Sequence, residues 1–296
     1  MISALGLCMG HRCICIENGS ELSFSNNYLV VEKEGERFEE FLDDVDAVLV
    51  NSLQVRLSSY LLNELLKRNV RIIFANEKKN PAFEMMPYAS THDSYAKLRE
   101  QIGWRKKRKD MLWARIIKNK IRNQHRHLKF LGKPFDVRRY VSNVKGGDAS
   151  NSEAHAARTY FSALFGSDFS RDDANRMNAG LNYGYTILLS LVNRAIASFG
   201  YSAKFGIHHD CQTNNFNFSC DIMEPFRTVI DRIVYDNRDR DLDRSYKRAL
   251  IDINMTPMLY KGKEYKLETA VSEFFLDAVR FMNGDVKTIG EVIDAY

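Results

Sequence analysis

The chain has 296 residues, 45% hydrophobic and 27% charged, enough for one large or two medium globular domains with buried cores. Its five cysteines (Cys8, Cys13, Cys15, Cys211 and Cys220) are odd in number and scattered, which argues against a disulfide framework and for a reducing cytoplasm. The net charge of +5 hides an asymmetry: residues 1–90 carry 9 Lys/Arg against 13 Asp/Glu, residues 97–129 carry 13 against 2.

No apolar run approaches a membrane span, and the opening MISALGLC is too short for a secretory segment and lacks a basic start. Neither targeting nor membrane association is expected, and Met9 can itself be the natural start. The runs HRCICIE, ELSFS and YLVVEKEG alternate as strands and are parted by the turn formers Asn18-Gly19-Ser20 and Asn26-Asn27. VDAVLVN is a further strand, LSSYLLNELLKRN a helix entered at Ser58 or Ser59, and VRIIFAN a returning strand, one βαβ-like excursion in all. Residues 76–87, rich in Asn, Lys and Pro, read as a connector, with the domain boundary at 90–96.

Helical periodicity dominates from there. In WRKKRKDMLWARIIKNKIRNQHRH the apolar positions 112, 113, 116, 117 and 121 share one face, and the other carries Arg105, Lys106, Lys107, Arg108, Lys109, Arg115, Lys118 and Arg122. A density of cations of one sign is the footprint of a phosphate-backbone binder; a merely solvated helix face usually mixes signs. Arg138, Arg139 and Lys145 extend the basic character. Further helices are predicted over SNSEAHAARTYFSALFG, capped by Asn151 or Ser152, and over DDANRMNAGLNYGYTILLSLVNRAIASFG. Three more follow: DIMEPFRTVIDRIVYDNR, with Pro225 in its first turn, RSYKRALIDINMTPMLY, and LETAVSEFFLDAVRFMNG.

Chemistry concentrates in residues 206–227, GIHHDCQTNNFNFSCDIMEPFR. His208 and His209 end a turn, Phe216 and Phe218 alternate as in a short extended segment, and Asp221 and Glu224 lie on roughly one face if Asp221 opens a helix. Histidine with carboxylates suits a hard divalent cation. Equally, the histidines can be loop residues, Asp221 an N-cap and Glu224 a partner of Arg227.

The order NSEAHAARTYF, then NAGLNYGYTILLS, then GIHHD with FNFSCDIMEPFR closely resembles CRISPR-associated protein 1, the integrase of spacer acquisition, in its type II flavour. The ELSFSNNYLVV, NSLQVRLS and VRIIF runs resemble that family's opening β domain, so the likeness spans nearly the whole chain from Met9. It implies an α+β protein: an N-terminal β-rich dimerisation domain with connector over 1–92, then a larger all-α catalytic and DNA-binding domain over 93–296. It further implies a homodimer that acts on double-stranded prespacer and repeat DNA with CRISPR-associated protein 2 and other type II adaptation proteins. The family's metal ligands map onto Glu153, His209 and Glu224, holding Mg²⁺ or Mn²⁺; His208 is the alternative histidine, Asp221 a support, and His155 lies outside the shell. Asn178, Tyr183 and Arg158 are candidates to assist, though Asn178 and Tyr183 also read as capping and packing residues. The implied reaction is attack of a prespacer 3′-hydroxyl on a phosphodiester at a repeat boundary. Two alternatives use the same residues differently: a stand-alone metal-dependent nuclease, and a non-catalytic DNA-binding scaffold.

Overall fold

A computed structural model describes residues 12–86, 93–133, 136, 138–148 and 151–295. The candidate start Met9, Cys8 and boundary positions 90–92 lie outside the described residues, as does the side chain of Arg138. The chain divides into two compact units, Met1–Tyr88 and Ala89–Tyr296.

In the first unit, β1 (Arg12–Ile16), β5 (Val45–Val50) and β7 (Arg71–Ala75) pair in parallel, and β8 (Pro81–Glu84) adds antiparallel to β7. A second sheet has the order β4 (Glu36–Phe41), β3 (Tyr28–Lys33), β2 (Glu21–Ser25), β6 (Arg56–Leu57). The β2–β3 hairpin turns on Asn26 and Asn27, whose φ of 50° and 69° suit the short Asn side chain. Helix α1 (Ser59–Lys67) crosses from β5 to β7, and the Ser58 hydroxyl caps it by accepting from the Leu61 amide. Leu22, Leu29 and Val31 of one sheet join Ile14, Val48 and Ile72 of the other, with Leu61 and Leu65 of α1, in one core. The strand β4 escapes the sequence pattern because its charged ERFEEF lies at a sheet edge. Within the expected connector, residues 81–84 form the strand β8.

The second unit is built around α3 (Lys106–Phe130), preceded by α2 (Ser94–Ile102) and followed by α4 (Arg138–Asn143), α5 (Ser152–Phe165) and α6 (Arg176–Ser198). Leu112, Trp113, Ile116, Ile117, Ile121 and Leu128 form the buried stripe of α3. Then come α7 (Asn217–Met223), a 3-10 turn (Glu224–Phe226), α8 (Arg227–Asp236), α9 (Arg244–Ile251) and α10 (Leu267–Asn283). Helix α6 lies flush on α8 and α9 at Gly184, where a methyl would sit 2.5 Å from Ile230 Cγ2 and 2.9 Å from Leu250 Cδ2. Among the described residues no helix is long and apolar enough to cross a membrane.

The α+β reading holds, with local corrections. A small antiparallel sheet, β10 (Lys263–Lys266), β9 (Pro257–Tyr260), β11 (Val292–Asp294), sits within the helical unit. The expected helix over residues 244–260 therefore stops at Ile251. Pro257 forces Thr256 out of the helical region, to ψ 126°, and the chain continues as β9. The segment around Phe216 and Phe218 is not extended: Phe218, Asp221 and Ile222 form the inward face of α7 and are all fully buried. Asp221 is thus mid-helix rather than an N-cap. Pro225 separates α7 from α8 instead of opening one continuous helix.

Candidate metal centre

Helix α5 delivers Glu153 in its first turn. Its N-terminus is capped from outside: Asn151 adopts φ 51° and makes no side-chain cap, while the Asp148 carboxylate accepts from the amides of Ser152 (3.1 Å) and Glu153 (2.9 Å). That pins the backbone from which Glu153 projects.

The turn ending in His209 is organised by Asp221. Its fully buried carboxylate accepts from the amides of Ile207 (2.6 Å), His208 (3.1 Å) and His209 (3.1 Å), and lies 2.6 Å from His209 Nδ1. Gly206 is required by the same wrapping, since a methyl there would lie 2.3 Å from the His209 carbonyl oxygen and 2.7 Å from Asp221 Oδ2. The hydrogen bond to the Asp221 carboxylate raises the His209 pKa against the opposing effect of burial, and the charges of Asp221, Glu224 and Glu153 add to it. With Nδ1 engaged, Nε2 is the ring nitrogen left for another partner. His208 is exposed and lies flat on Trp113, centroids 4.2 Å apart and planes 2° from parallel. Of the two adjacent histidines, His209 is the one under the field of the two glutamates.

Glu224, 3% exposed, follows α7 in the 3-10 turn. Arg227 holds its Oε1 through Nε and a terminal nitrogen, both at 2.9 Å. Lys120 Nζ, from the buried side of α3, lies 2.5 Å from Glu224 Oε2 and 2.6 Å from Glu153 Oε1. Burial works to raise the Glu224 pKa, but Arg227 and Lys120 outweigh it and draw the group down to about 2. Burial likewise opposes the Lys120 charge, and Glu224 and Glu153 overcome it, raising its pKa. Both carboxylates thus face a single ammonium. Oε2 of Glu224 is buried, and the Lys120 ammonium is the charge that compensates it.

Behind Arg227 lies a buried network. Arg227 stacks over the Tyr185 ring at 4.5 Å, Tyr185 donates to Asp231, and Tyr160 donates to Asp231 at 3.0 Å while lying 2.7 Å from His127 Nδ1. Burial lifts the Asp231 pKa to about 6 against these hydrogen bonds, and lowers that of His127 to about 4. In the sequence Lys120 counts only as one more cation of the basic helix, and nothing marks Tyr185 or Asp231. Lys120 had a signal, because it falls among positions 113, 116, 117, 121 and 124 on the apolar face of α3.

The other expected residues are placed apart from these contacts. Asn178 ties the start of α6 to the preceding loop, its amide donating to the carbonyls of Ser170 (2.7 Å) and Asp173 (2.8 Å). Tyr183 is buried with Lys247 5.4 Å over its ring, and Arg158 is exposed on α5. Along α3, Arg105, Lys106 and Lys107 are exposed, and Lys106 pairs with Asp110 at 2.8 Å. Lys118 is half-buried. Arg108 and Lys109 donate to the carbonyls of Phe281 and Gly206. Arg115 lies 4.3 Å over the Phe281 ring, and Arg122 pairs with Glu291.

The donor set fits a hard divalent cation: two carboxylates and an imidazole nitrogen, with a buried carboxylate oxygen that only a cation compensates. With Lys120 between the glutamates, no three His, Cys, Asp or Glu side chains among the described residues are gathered as a ready-made ligand cluster.

The sequence profile of the family "CRISPR associated protein Cas1" matches residues 14–248. The CRISPR-associated endonuclease Cas1 of Neisseria meningitidis serogroup C (strain 8013) is 32% identical over 276 residues, covering 92% of this chain and 87% of that protein. A casposase bound to integration product superposes with a TM-score of 0.80 at 17% identity, covering 95% of this chain and 92% of that one. A Cas6-RT-Cas1–Cas2 complex gives a TM-score of 0.69 at 17% identity over all of this chain and 37% of that one. By the extent of the profile match and the identity to the Neisseria protein, this chain belongs to the CRISPR-associated protein Cas1 family.

Proposed function

We propose that this protein is a metal-dependent DNA integrase and endonuclease of CRISPR adaptation, which joins prespacer 3′-hydroxyl ends to repeat boundaries by transesterification. The observation that carries the reading is the meeting of Glu153 and Glu224 on one cation, beside a histidine oriented by Asp221, in a chain of this family. Glu153, His209 and Glu224 are the residues that would hold Mg²⁺ or Mn²⁺, which when bound supplies Lewis acidity toward a phosphoryl oxygen. Asp221 keeps the proton of His209 on Nδ1 and so leaves Nε2 with its lone pair. Arg227 orients the Glu224 carboxylate and holds it ionised. Arg105, Lys106 and Lys107, exposed at the start of α3, are placed to meet the DNA backbone.

Residues 1–92 are assigned to dimerisation and 93–296 to catalysis and DNA binding. Work on DNA together with Cas2 is supported by the likeness to a Cas6-RT-Cas1–Cas2 complex and to a casposase bound to integration product, and a homodimer acting on duplex DNA belongs to the same proposal. The decisive assay combines purified protein, its Cas2 partner, a short duplex with free 3′ ends and a supercoiled plasmid bearing leader and repeat. Wild type is compared with Glu224→Ala, with and without Mn²⁺ or Mg²⁺. Joined products that need metal and vanish in the variant support the proposal. Metal-dependent nicking without joining turns it toward a nuclease, and tight DNA binding with neither reaction turns it toward a scaffold.

A further inference from the structure

We infer that Lys120 is a displaceable internal cation: its ammonium holds Glu153 and Glu224 together in the metal-free protein and must leave its place for a divalent ion to enter. The inference rests on the metal reading given above and adds a residue that competes with the ion.

The geometry carries it. Lys120 Nζ is 2.6 Å from Glu153 Oε1 and 2.5 Å from Glu224 Oε2, and its side chain is only 9% exposed. Its place between the two carboxylates is that of a bridging ion. Glu224 is 3% exposed, and a buried carboxylate close to a second carboxylate requires compensating charge. Arg227 supplies part of it, but it binds Oε1 and leaves Oε2 to the ammonium. A Mg²⁺ ion held by oxygens of Glu153 and Glu224 would sit about 2.0–2.1 Å from them. An ammonium still touching the same two oxygens would then be in contact with a like-charged ion, and the two cannot share the space. The two cations on Glu224 differ in how they can answer. Arg227 is locked by a two-point fork and packed on Tyr185, whereas lysine is a point charge on a flexible four-carbon stem that can swing away without unfolding its helix. Lys120 thus keeps the carboxylates in register before loading and sets the affinity for the ion by competition. Freed by loading, its ammonium remains close enough to meet an incoming phosphate.

The test measures Mn²⁺ binding by the free protein, by titration calorimetry and by the electron paramagnetic resonance of unbound Mn²⁺. Lys120→Met removes the competing charge at similar length and should bind Mn²⁺ at least about tenfold more tightly than wild type. It should also melt at a lower temperature without metal and be rescued more strongly by it. Lys120→Arg keeps the charge in a planar fork suited to two carboxylates and should bind Mn²⁺ more weakly than wild type. An independent readout on wild type avoids reliance on either variant folding: reductive methylation of Lys120, followed by peptide mass spectrometry, should rise severalfold when Mg²⁺ is added, with the exposed Lys107 unchanged. Binding of Mn²⁺ with equal or lower affinity in Lys120→Met, or Lys120 labelling that Mg²⁺ leaves flat or lowers, overturns the displacement while the metal reading stands. Failure of wild type to bind Mn²⁺ at all overturns both.

Discussion

Asp221→Asn is the most informative single change in the site, because it preserves size and removes one charge from a residue that accepts from four donors. Oδ2 takes the amides of Ile207 and His208, and Oδ1 takes the amide and Nδ1 of His209. An asparagine has a single carbonyl oxygen, so one pair of donors must face its NH₂ group. If the oxygen stays with Ile207 and His208, the His209 amide meets another donor, and the imidazole can keep a bond only by accepting at Nδ1. Its proton then moves to Nε2, the nitrogen proposed to meet the metal. A buried donor left unsatisfied costs about 1–3 kcal/mol, and a hydrogen bond to a charged acceptor contributes about 1.5–3 kcal/mol. Part of the loss is recovered by relaxation, which puts the expected destabilisation near 3 kcal/mol. Removing a group that orients a metal-binding histidine typically lowers metal affinity or activity by about 10–100-fold. Urea unfolding measures the first effect, joining of a labelled prespacer the second, and long-range ¹H–¹⁵N correlation of the imidazole reports the tautomer. A variant that keeps the proton on Nδ1 and joins DNA within about twofold of wild type would refute this account of how His209 is presented.

Two further predictions concern the frame around the site. Gly206→Ala should cost about 1–3 kcal/mol, as overpacking does, because its methyl would press on the His209 carbonyl oxygen and Asp221 Oδ2; joining should fall well below wild type while DNA affinity by gel shift holds, and equal joining would show that the turn can open without consequence. Asp294, 3% exposed with Arg232 3.3 Å away, has its pKa raised to about 6 by burial against the pull of Arg232. A carboxyl whose folded pKa lies above its unfolded value of about 3.9 contributes stability that is fully present below about pH 4 and lost as pH rises through 6. Two units correspond to about 3 kcal/mol, so the stability of wild type relative to Asp294→Asn should fall by about that amount between pH 4 and pH 7. A difference that stays flat across this range in denaturant titrations contradicts the burial argument.

Local chemistry in the sequence determined much of this protein. Alternation and asparagine turns marked β1, β2, β3, β5 and β7, and 3.6-residue periodicity marked α1, α3, α5, α6 and α10, because each pattern reflects which face an element buries. The same pattern failed where burial and polarity part company. The edge strand β4 is charged, β9 follows a helix-like run, and α7 presents Phe218 and Asp221 on one buried face, so that FNFS looked like a strand. The family resemblance implied Glu153, His209 and Glu224 as ligands and left His208 in contention. Only the packed structure gives the two histidines different surroundings, bonding His209 to Asp221 and laying His208 on Trp113. Lys120 stands 33 residues from Glu153 and comes from another helix, and no spacing rule links them; the ion triad exists because α3, α5 and the 3-10 turn after α7 converge. The same holds for Arg122, basic in the sequence but paired with Glu291 once the C-terminal strand returns to α3. Sequence sets which residues want burial and which carry charge, whereas the choice of partner is made by tertiary contacts that bring distant segments within hydrogen-bonding range.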